Sequence, residues 1–236
     1  MPLRYWYRFA TRRLEKEWPI VRRLLATGRV SIDIGANNGV YTYALSRLSA
    51  RVEAFEPLPA CARTLEAFGA ANVGVHEVAL SSSSGARELF VPVDSGVVHT
   101  ALASFVKPKG TFQTISVPLR KLDSYGFRDV CFIKIDVEGH ELEVLRGAAL
   151  TIAEYKPMVL VEVEQRHLNF PMDLVFREFS SFGYRGFFTT HGKLSPLKAF
   201  SYEIHQAPFA HDVLSRHYVN NFIFVHDGSR EHELLR

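Results

Sequence analysis

The sequence has few cysteines, no long apolar run and no strong excess of charge of one sign. Its 236 residues include only Cys61 and Cys131, which excludes a disulfide scaffold and favours a reducing compartment, so we expect a cytoplasmic protein. No segment approaches the roughly 18 to 20 apolar residues that cross a bilayer, and the charged start lacks the apolar core of a secretory signal. Hydrophobic residues make up 47% of the chain, which excludes disorder as the dominant state.

Several motifs with well-defined chemistry are also missing. No His-x-His, HExxH or paired Cys/His spacing indicates a zinc site. A dinucleotide loop of the form G-x-G-x-x-G is absent, because Asn37 and Val40 stand where a pattern starting at Gly35 needs glycines. There is no Tyr-x-x-x-Lys pair either, so the sequence argues against a nicotinamide-dependent enzyme.

The charge is unevenly distributed along the chain. Residues 1–29 contain eight basic and two acidic residues, a net charge of +6, which leaves −3 for the remainder. Pro19 divides a pattern of apolar residues at helical spacing into two helices. The apolar residues of this pattern are Trp6, Ala10, Leu14, Trp18, Val21 and Leu25. We interpret residues 1–28 as a basic helical segment, either packed with a solvated basic face or in peripheral contact with an acidic membrane surface or an anionic substrate.

From residue 29 onward, short β-branched runs alternate with segments of helical spacing. This alternation predicts an α/β fold with a doubly wound, mostly parallel sheet. We expect one domain over residues 29–226, with a β-ribbon insertion at about 81–129, and a solvated tail over 227–236. The pattern predicts seven strands, of which the last two, YRGFFTTH and VNNFIFVH, form an antiparallel pair at one edge.

A glycine-containing turn, DIGANNG at residues 33–39, follows the first strand and opens a helix. Gly35 allows a sharp turn and close approach of a ligand, Asn37 tolerates positive φ, and Gly39 lets the helix start pack closely. Asp33 places a carboxylate at the end of the strand. That charge suits an ammonium group, such as the one on the amino acid part of S-adenosylmethionine, better than a pyrophosphate. A turn that binds no ligand is the alternative.

An acidic residue, Glu56, ends the second strand 23 residues after Asp33. Its position matches that of the acid that accepts ribose hydroxyls in nucleotide-binding sheets. The alternative is a surface glutamate before the turn at Pro57. Both features together favour a nucleoside-containing cofactor.

Acidic and imidazole groups cluster after the fourth and fifth strands of the pattern. KIDVEGHE at residues 134–141 supplies Asp136, Glu138 and His140, and His167 follows the strand VLVEVE. At the carboxyl edge of a parallel sheet such groups can orient a cofactor amine, hold a divalent cation or deprotonate a hydroxyl. The alternatives are helix-capping acids and an exposed histidine.

The segments DIGANNG, FEP, HEVAL, KIDVEG followed by HELEVLRGA, and VLVEVE resemble the FkbM-type S-adenosylmethionine-dependent methyltransferases over roughly residues 30–190. The resemblance implies a Rossmann-like class I methyltransferase fold and methyl transfer to a hydroxyl of a sugar, a glycan or a natural product. Carried over residue by residue, it implies a cofactor loop of Asp33, Gly35, Asn37 and Gly39, with Glu56 as the ribose acid. It also implies that Ala79 and Leu80 lie on the adenine side and that Asp136 and Glu138 lie at the reacting end.

The sequence leaves the removal of the hydroxyl proton open. Asp136, Glu138, His140 and His167 are candidates for a direct base, and a carboxylate-bound Mg²⁺ is the other route. A non-catalytic S-adenosylmethionine-binding protein and a nicotinamide-dependent sugar oxidoreductase or epimerase are the alternative functions. We expect a small-molecule or glycan acceptor and no nucleic acid, because basic charge is confined to the start of the chain.

Overall fold

A computed structural model describes residues 16–190, 192–213 and 215–235 of the protein. Its strands, in chain order, are β1 (Val30–Ile34), β2 (Arg51–Phe55), β3 (Val73–His76), β4 (Ala79–Leu80), β5 (Gly85–Asp94), β6 (Val97–Val98), β7 (Phe112–Arg120), β8 (Val130–Ile135), β9 (Met158–Glu162), β10 (Tyr184–Thr190), β11 (Lys193–Pro196) and β12 (Asn221–His226). Its α-helices are α1 (Trp18–Leu24), α2 (Val40–Ser46), α3 (Pro59–Glu66), α4 (Glu141–Gly147), α5 (Ala149–Tyr155), α6 (Asp173–Ser181), α7 (Tyr202–His205) and α8 (Arg230–Glu233). None of the helices in these ranges is long and apolar enough to cross a membrane.

The main sheet has the order β11-β10-β12-β9-β8-β1-β2-β3. Strands β1, β2, β3, β8 and β9 are parallel, as the alternation with helices predicts. β8 is buried at all six positions, which fits a central strand covered on both faces. Strand β12 runs antiparallel to both of its neighbours, β9 and β10.

The predicted count of seven strands is wrong for this sheet, which has eight. β10 and β12 do pair antiparallel, but β12 lies inside the sheet and the short strand β11 forms the edge. The sequence of β11, KLSP, gives no apolar alternation, and a proline is tolerated there because the strand is at an edge.

Alternate side chains of the central strands pack into two apolar clusters on opposite faces of the sheet. In β9, Val159 and Val161 join one cluster, whereas Met158 and Leu160 join the other. Helices α4, α5 and α6 supply apolar residues to the first face, and α1 and α2 to the second. This period-two division is the pattern of a sheet with helices on both sides.

Strands β4 to β7 form a second, smaller sheet in the order β4-β7-β5-β6. β5 and β7 make an antiparallel ribbon from Gly85, opposite Leu119, to Pro92, opposite Phe112. A 3₁₀ helix, Leu122–Tyr125, leads from the ribbon back to β8.

The first and last described segments can be compared with the predicted N-terminal helices and C-terminal tail. Pro19 lies in the first turn of α1, as predicted, while the preceding helix of the pattern lies outside the described residues. The segment predicted as a solvated tail, 227–236, contains the short helix α8 in the part that the structure describes. There, Ser229 caps α8 by accepting a hydrogen bond from the His232 amide, and the His232 side chain is buried.

The topology brings several loops to one edge of the sheet. The carboxyl ends of β1, β2, β8 and β9 lie there because these strands are parallel. The residue before β12 joins them, because β12 is antiparallel and Asn221 is level with Glu162. The polar residues that follow these strands therefore surround one space.

Candidate active site

The turn between β1 and α2 presses its backbone against the neighbouring strand end. Gly35 has φ +77°, and a Cβ there would lie 1.8 Å from the carbonyl oxygen of Asp136. Gly39 has φ +79°, and a Cβ there would lie 2.6 Å from Leu65. Asn37 adopts φ 45°, the left-handed conformation that asparagine tolerates. Because Gly35 and Gly39 lack side chains, the turn can pack directly against Asp136 and Leu65. Gly35 and Asn37 line a cavity.

Glu56 is held at the end of β2 by two backbone amides. Asn37 N–H donates to its Oε2 at 2.7 Å, and Leu58 N–H donates to its Oε1 at 2.9 Å. Burial raises the pKa of this carboxyl to about 7, although the two amides oppose the shift. Each oxygen keeps a lone pair, so the residue can accept further hydrogen bonds from a diol in the cavity that it lines.

Asp33 lies beneath this turn and does not line the cavity. Thr42 Oγ1 donates to its Oδ2 at 2.6 Å, whereas its buried Oδ1 has no partner among the described residues. Burial raises the pKa of Asp33, and the charge of nearby Lys134 acts in the opposite direction. The unpartnered oxygen is a buried acceptor that a hydrogen-bond donor would satisfy.

Asp136, directly after β8, is paired with a buried cation. Lys134 Nζ lies 2.8 Å from Asp136 Oδ2, and the lysine side chain is only 4% exposed. The same ammonium group lies 4.6 Å from the centre of the Tyr41 ring. Asp136 is 29% exposed and lines the cavity, so its carboxylate is oriented by Lys134 and accessible from the cavity.

Glu138 and His167, which the sequence separates by 29 positions, are in contact. Glu138 Oε2 lies 2.9 Å from His167 Nε2. Burial raises the pKa of Glu138, and the imidazole partly offsets this effect. Burial lowers the pKa of His167, but the carboxylate of Glu138 close beside it outweighs this effect and leaves that pKa above its ordinary value. Glu138 lines the cavity and His167 stands behind it.

His140 lies apart from this pair. Its Nε2 is 3.0 Å from Ser81 Oγ, and its ring meets Phe105 edge-on with the ring centres 4.7 Å apart. Burial lowers its pKa to about 4, and the positive charge of Arg87 adds to the shift. His140 is therefore neutral at pH 7 and connects the segment after β4 with the start of α4.

A polar wall that the sequence pattern did not single out as a whole lies after β9. Glu164 accepts from Arg166 Nε at 2.5 Å and from the Tyr218 hydroxyl. Asn220 Nδ2 donates to Glu162 Oε1 at 2.7 Å. Arg166, Tyr218 and Asn220 were not among the predicted site residues. Only the folding of β12 beside β9 brings Tyr218 and Asn220 here. The repeated asparagine before an apolar strand was the available signal.

One cavity of about 450 Å³ connects these groups, a volume within the ordinary range for small-molecule sites. Ala79 and Leu80, both buried in β4, line it, and so does Glu56. Its lining residues include Ile34, Gly35, Asn37, Phe55, Glu56, Ala79, Leu80, Thr100, Ala101, Leu102, Phe105, Asp136, Glu138, His140, Glu162, Glu164, Arg166 and Asn220. Within the described ranges, no three His, Cys, Asp or Glu side chains group as a metal site would require.

Comparison with known proteins identifies the family of this chain. A family model for the methyltransferase FkbM domain matches residues 33–186, about two thirds of the chain. The chain belongs to the FkbM methyltransferase family. The segments of predicted resemblance lie within or beside the matched residues, so the predicted family is confirmed. No match was found among curated proteins.

Solved structures place this FkbM-family protein in a known fold. The crystal structure of methyltransferase FkbM from Methylobacillus flagellatus KT is similar with a TM-score of 0.52 and 20% identity, over 84% of this chain and 43% of that one. The FkbM-family chain thus spans less than half of that protein's length. This similarity confirms the Rossmann-like class I methyltransferase fold.

Two further structures resemble the FkbM-family chain more weakly. A putative methyltransferase from Streptococcus mutans, solved in complex with S-adenosylhomocysteine, has a TM-score of 0.45 and 11% identity over 88% of this chain and 93% of that one. An S-adenosylmethionine-dependent O-methyltransferase from Thermotoga maritima has a TM-score of 0.43 and 12% identity over 91% and 65%.

Proposed function

We propose that this protein transfers the methyl group of S-adenosylmethionine to a hydroxyl of a sugar, a glycan or a hydroxylated natural product. Membership of the FkbM family supports the cofactor class. The contact between Glu138 and His167 at the wall of the cavity carries the proposal for the acceptor, because it supplies a carboxyl group suited to take a hydroxyl proton.

The residues around the glycine turn fit the cofactor. Gly35 leaves room where a side chain would collide with backbone, and Glu56 offers free lone pairs for the two ribose hydroxyls. Ala79 and Leu80 offer an apolar surface for adenine. The carboxylate of Asp136, which is accessible from the cavity, is the acidic group placed to meet an ammonium group, whereas Asp33 lies beneath the turn.

The rest of the cavity has one apolar and one polar wall. Ala101, Leu102 and Phe105 form the first, and Glu162 and Asn220 belong to the second. A sugar ring presents both an apolar C–H face and hydroxyl edges, so it matches this division. The whole lining has five carboxyl groups against the single guanidinium of Arg166, which disfavours phosphates and supports the expectation of no nucleic acid.

Among the candidate bases, Glu138 is the best placed. Its raised pKa makes it a stronger base than an exposed carboxylate, and it lines the cavity. Asp136 is already paired with Lys134, and His140 is buried against Ser81 with a lowered pKa. His167 acts through Glu138 as a positioning residue. No cation is required by this arrangement.

S-adenosylmethionine, when bound, supplies an electrophilic methyl group on sulfur. The protein has to hold the acceptor oxygen in line at about 3 to 3.5 Å and accept its proton. The walls of the cavity perform the first task. Glu138 performs the second, with its charge balanced by the imidazole of His167.

Two measurements test the proposal. Calorimetry should show binding of S-adenosylhomocysteine and none of NAD or NADP; tight nicotinamide binding without a response to S-adenosylhomocysteine would instead indicate the oxidoreductase alternative. Glycan and polyketide extracts incubated with methyl-labelled S-adenosylmethionine should yield a labelled product. Glu138→Gln should abolish labelling while leaving S-adenosylhomocysteine affinity unchanged, and the exposed Glu154→Gln should behave as wild type. Binding without labelling of any extract would favour the non-catalytic protein.

A further inference from the structure

The loop between β6 and β7 connects the insertion to the active site. Thr100–Leu102 form a 3₁₀ helix in this loop, and Thr100, Ala101, Leu102 and Ala103 all line the cavity. Ala101 and Leu102 belong to the apolar wall assigned above to the acceptor. The insertion is therefore in a position to influence which acceptors bind.

Ser104 anchors the far end of this loop. Its backbone N–H and C=O both pair with Phe90 of β5, at 3.0 and 2.9 Å. Its Oγ accepts a hydrogen bond from Val106 N–H at 3.1 Å. The same hydroxyl donates to the backbone carbonyl of Glu138 at 2.6 Å. One buried hydroxyl thus joins the insertion to the residue that carries the proposed base.

The backbone at Glu138 has an unfavourable conformation that contacts must stabilise. Glu138 has φ +48°, in the left-handed region that a residue with a long side chain rarely adopts. Gly139 follows with φ +95°, and a Cβ there would lie 2.4 Å from the carbonyl oxygen of His167. Such conformations persist where surrounding contacts over-determine them. Ser104 supplies the contact on the insertion side.

We propose that Ser104 is a positioning residue: its hydroxyl fixes the Glu138 turn so that the carboxyl of Glu138 meets His167 and faces the acceptor bound against the loop between β6 and β7. This role rests on the proposed function. It gives the loop two linked tasks, since the chain segment that contacts the acceptor also aligns the base. An acceptor that packs well against the loop would stabilise the catalytic geometry of Glu138.

The imidazole of His167 reports the position of Glu138 without any acceptor. Glu138, Arg166 and Glu164 are the charged groups that act on it, and only Glu138 forms the direct contact. We would measure the pKa of His167 by NMR on protein labelled in its histidine rings, with the signal assigned by its loss in His167→Asn. The pKa of His167 measured in Glu138→Gln defines its value without the neighbouring carboxylate.

Ser104→Ala should lower the pKa of His167 by roughly half a unit or more towards the Glu138→Gln value, because the carboxylate moves away. Ser104→Thr, which keeps the hydroxyl, should restore it. Ser124→Ala is the matched control, since Ser124 Oγ also donates to a backbone carbonyl, that of Lys121, at 2.7 Å but away from the site. Ser104→Cys keeps the side-chain volume with a weaker donor and serves if the alanine variant does not fold.

An unchanged His167 pKa in a folded Ser104→Ala or Ser104→Cys variant would overturn the proposal. Calorimetry with S-adenosylhomocysteine separates this failure from failure of the proposed function. A shifted His167 pKa in a protein that does not bind S-adenosylhomocysteine would leave the positioning role standing and remove the enzyme. With an acceptor from the extract screen, Ser104→Ala should lower kcat about tenfold and leave the KM for S-adenosylmethionine unchanged.

Discussion

Replacing Glu56 with glutamine should change the pH dependence of stability and of cofactor binding in opposite directions. The carboxyl is 4% exposed, accepts hydrogen bonds from two backbone amides and has a pKa of about 7 against an ordinary value of 4.5. Glutamine has nearly the same shape but does not titrate. Glu56→Gln loses one backbone amide hydrogen bond at every pH. Because this loss is constant, it cancels when the slopes of stability and affinity against pH are compared.

The raised pKa means that the folded protein binds this proton more tightly than the unfolded chain. The free energy of unfolding should therefore fall as the pH rises through the window from 4.5 to about 7. A shift of this size corresponds to about 3 kcal/mol in full, and to about 2 to 3 kcal/mol between pH 5 and pH 8. Glu56→Gln should lack this part of the slope.

The affinity for S-adenosylhomocysteine should follow the opposite trend. Ionised Glu56 accepts hydrogen bonds from both ribose hydroxyls, whereas the protonated form loses part of that capacity. Wild-type affinity should weaken as the pH falls below about 7. At pH 8, Glu56→Gln should bind about ten- to a hundredfold more weakly, and its affinity should vary little with pH.

Urea unfolding and calorimetry at pH 5, 6, 7 and 8 measure both effects. Burial also raises the pKa of Glu141 to about 7, so this residue contributes to the slope of stability against pH. Subtracting the slope of Glu56→Gln from that of the wild type removes the contribution of Glu141. Glu66→Gln, at an exposed position on α3, is the control and should reproduce both wild-type slopes. Equal slopes and equal affinities in wild type and Glu56→Gln would refute both the raised pKa and the ribose contact.

Three further outcomes are expected. Gly35→Ala should lower the free energy of unfolding in urea by about 3 kcal/mol or more, because its Cβ would overlap the Asp136 carbonyl; Gly28→Ala, with the same φ of +77° and nothing within 4 Å, should lower it less. Asp136→Asn should abolish turnover and also destabilise the protein by about 1 to 3 kcal/mol, since it removes the carboxylate beside buried Lys134; wild-type stability would contradict this. Chelator should leave turnover unchanged if Glu138 is a direct base, and loss of activity that Mg²⁺ restores would show that a cation is needed.

The parallel part of the fold and the placement of Gly35 and Glu56 at one cavity could be predicted because their signals are local. Short apolar strands alternate with helical spacing, and Gly35 and Glu56 sit directly at strand ends. Right-handed crossovers then determine that the two ends meet. The predicted orientation of Asp33 towards a ligand is less direct, because alternation along β1 turns its side chain towards Thr42 on the helix that covers the sheet.

The contacts that the insertion and β12 make at the cavity could not be predicted from local pattern. Ser104, Tyr218 and Asn220 reach the site through an insertion and an antiparallel strand, and no periodicity specifies where such segments dock. The contact between Glu138 and His167 depends on the close approach of two loops at Gly139. These interactions are set by long-range packing, which leaves no fixed spacing in the sequence.

The place of β12 between β9 and β10 has a consequence for synthesis of the protein on the ribosome. At about 5 to 20 residues per second, the stretch from the end of β10 to the start of β12 takes roughly 2 to 6 s to emerge. During that interval β9 and β10 each present an unpaired strand edge, the kind of surface that pairs with other chains. A nascent chain in this state is a natural client for a chaperone.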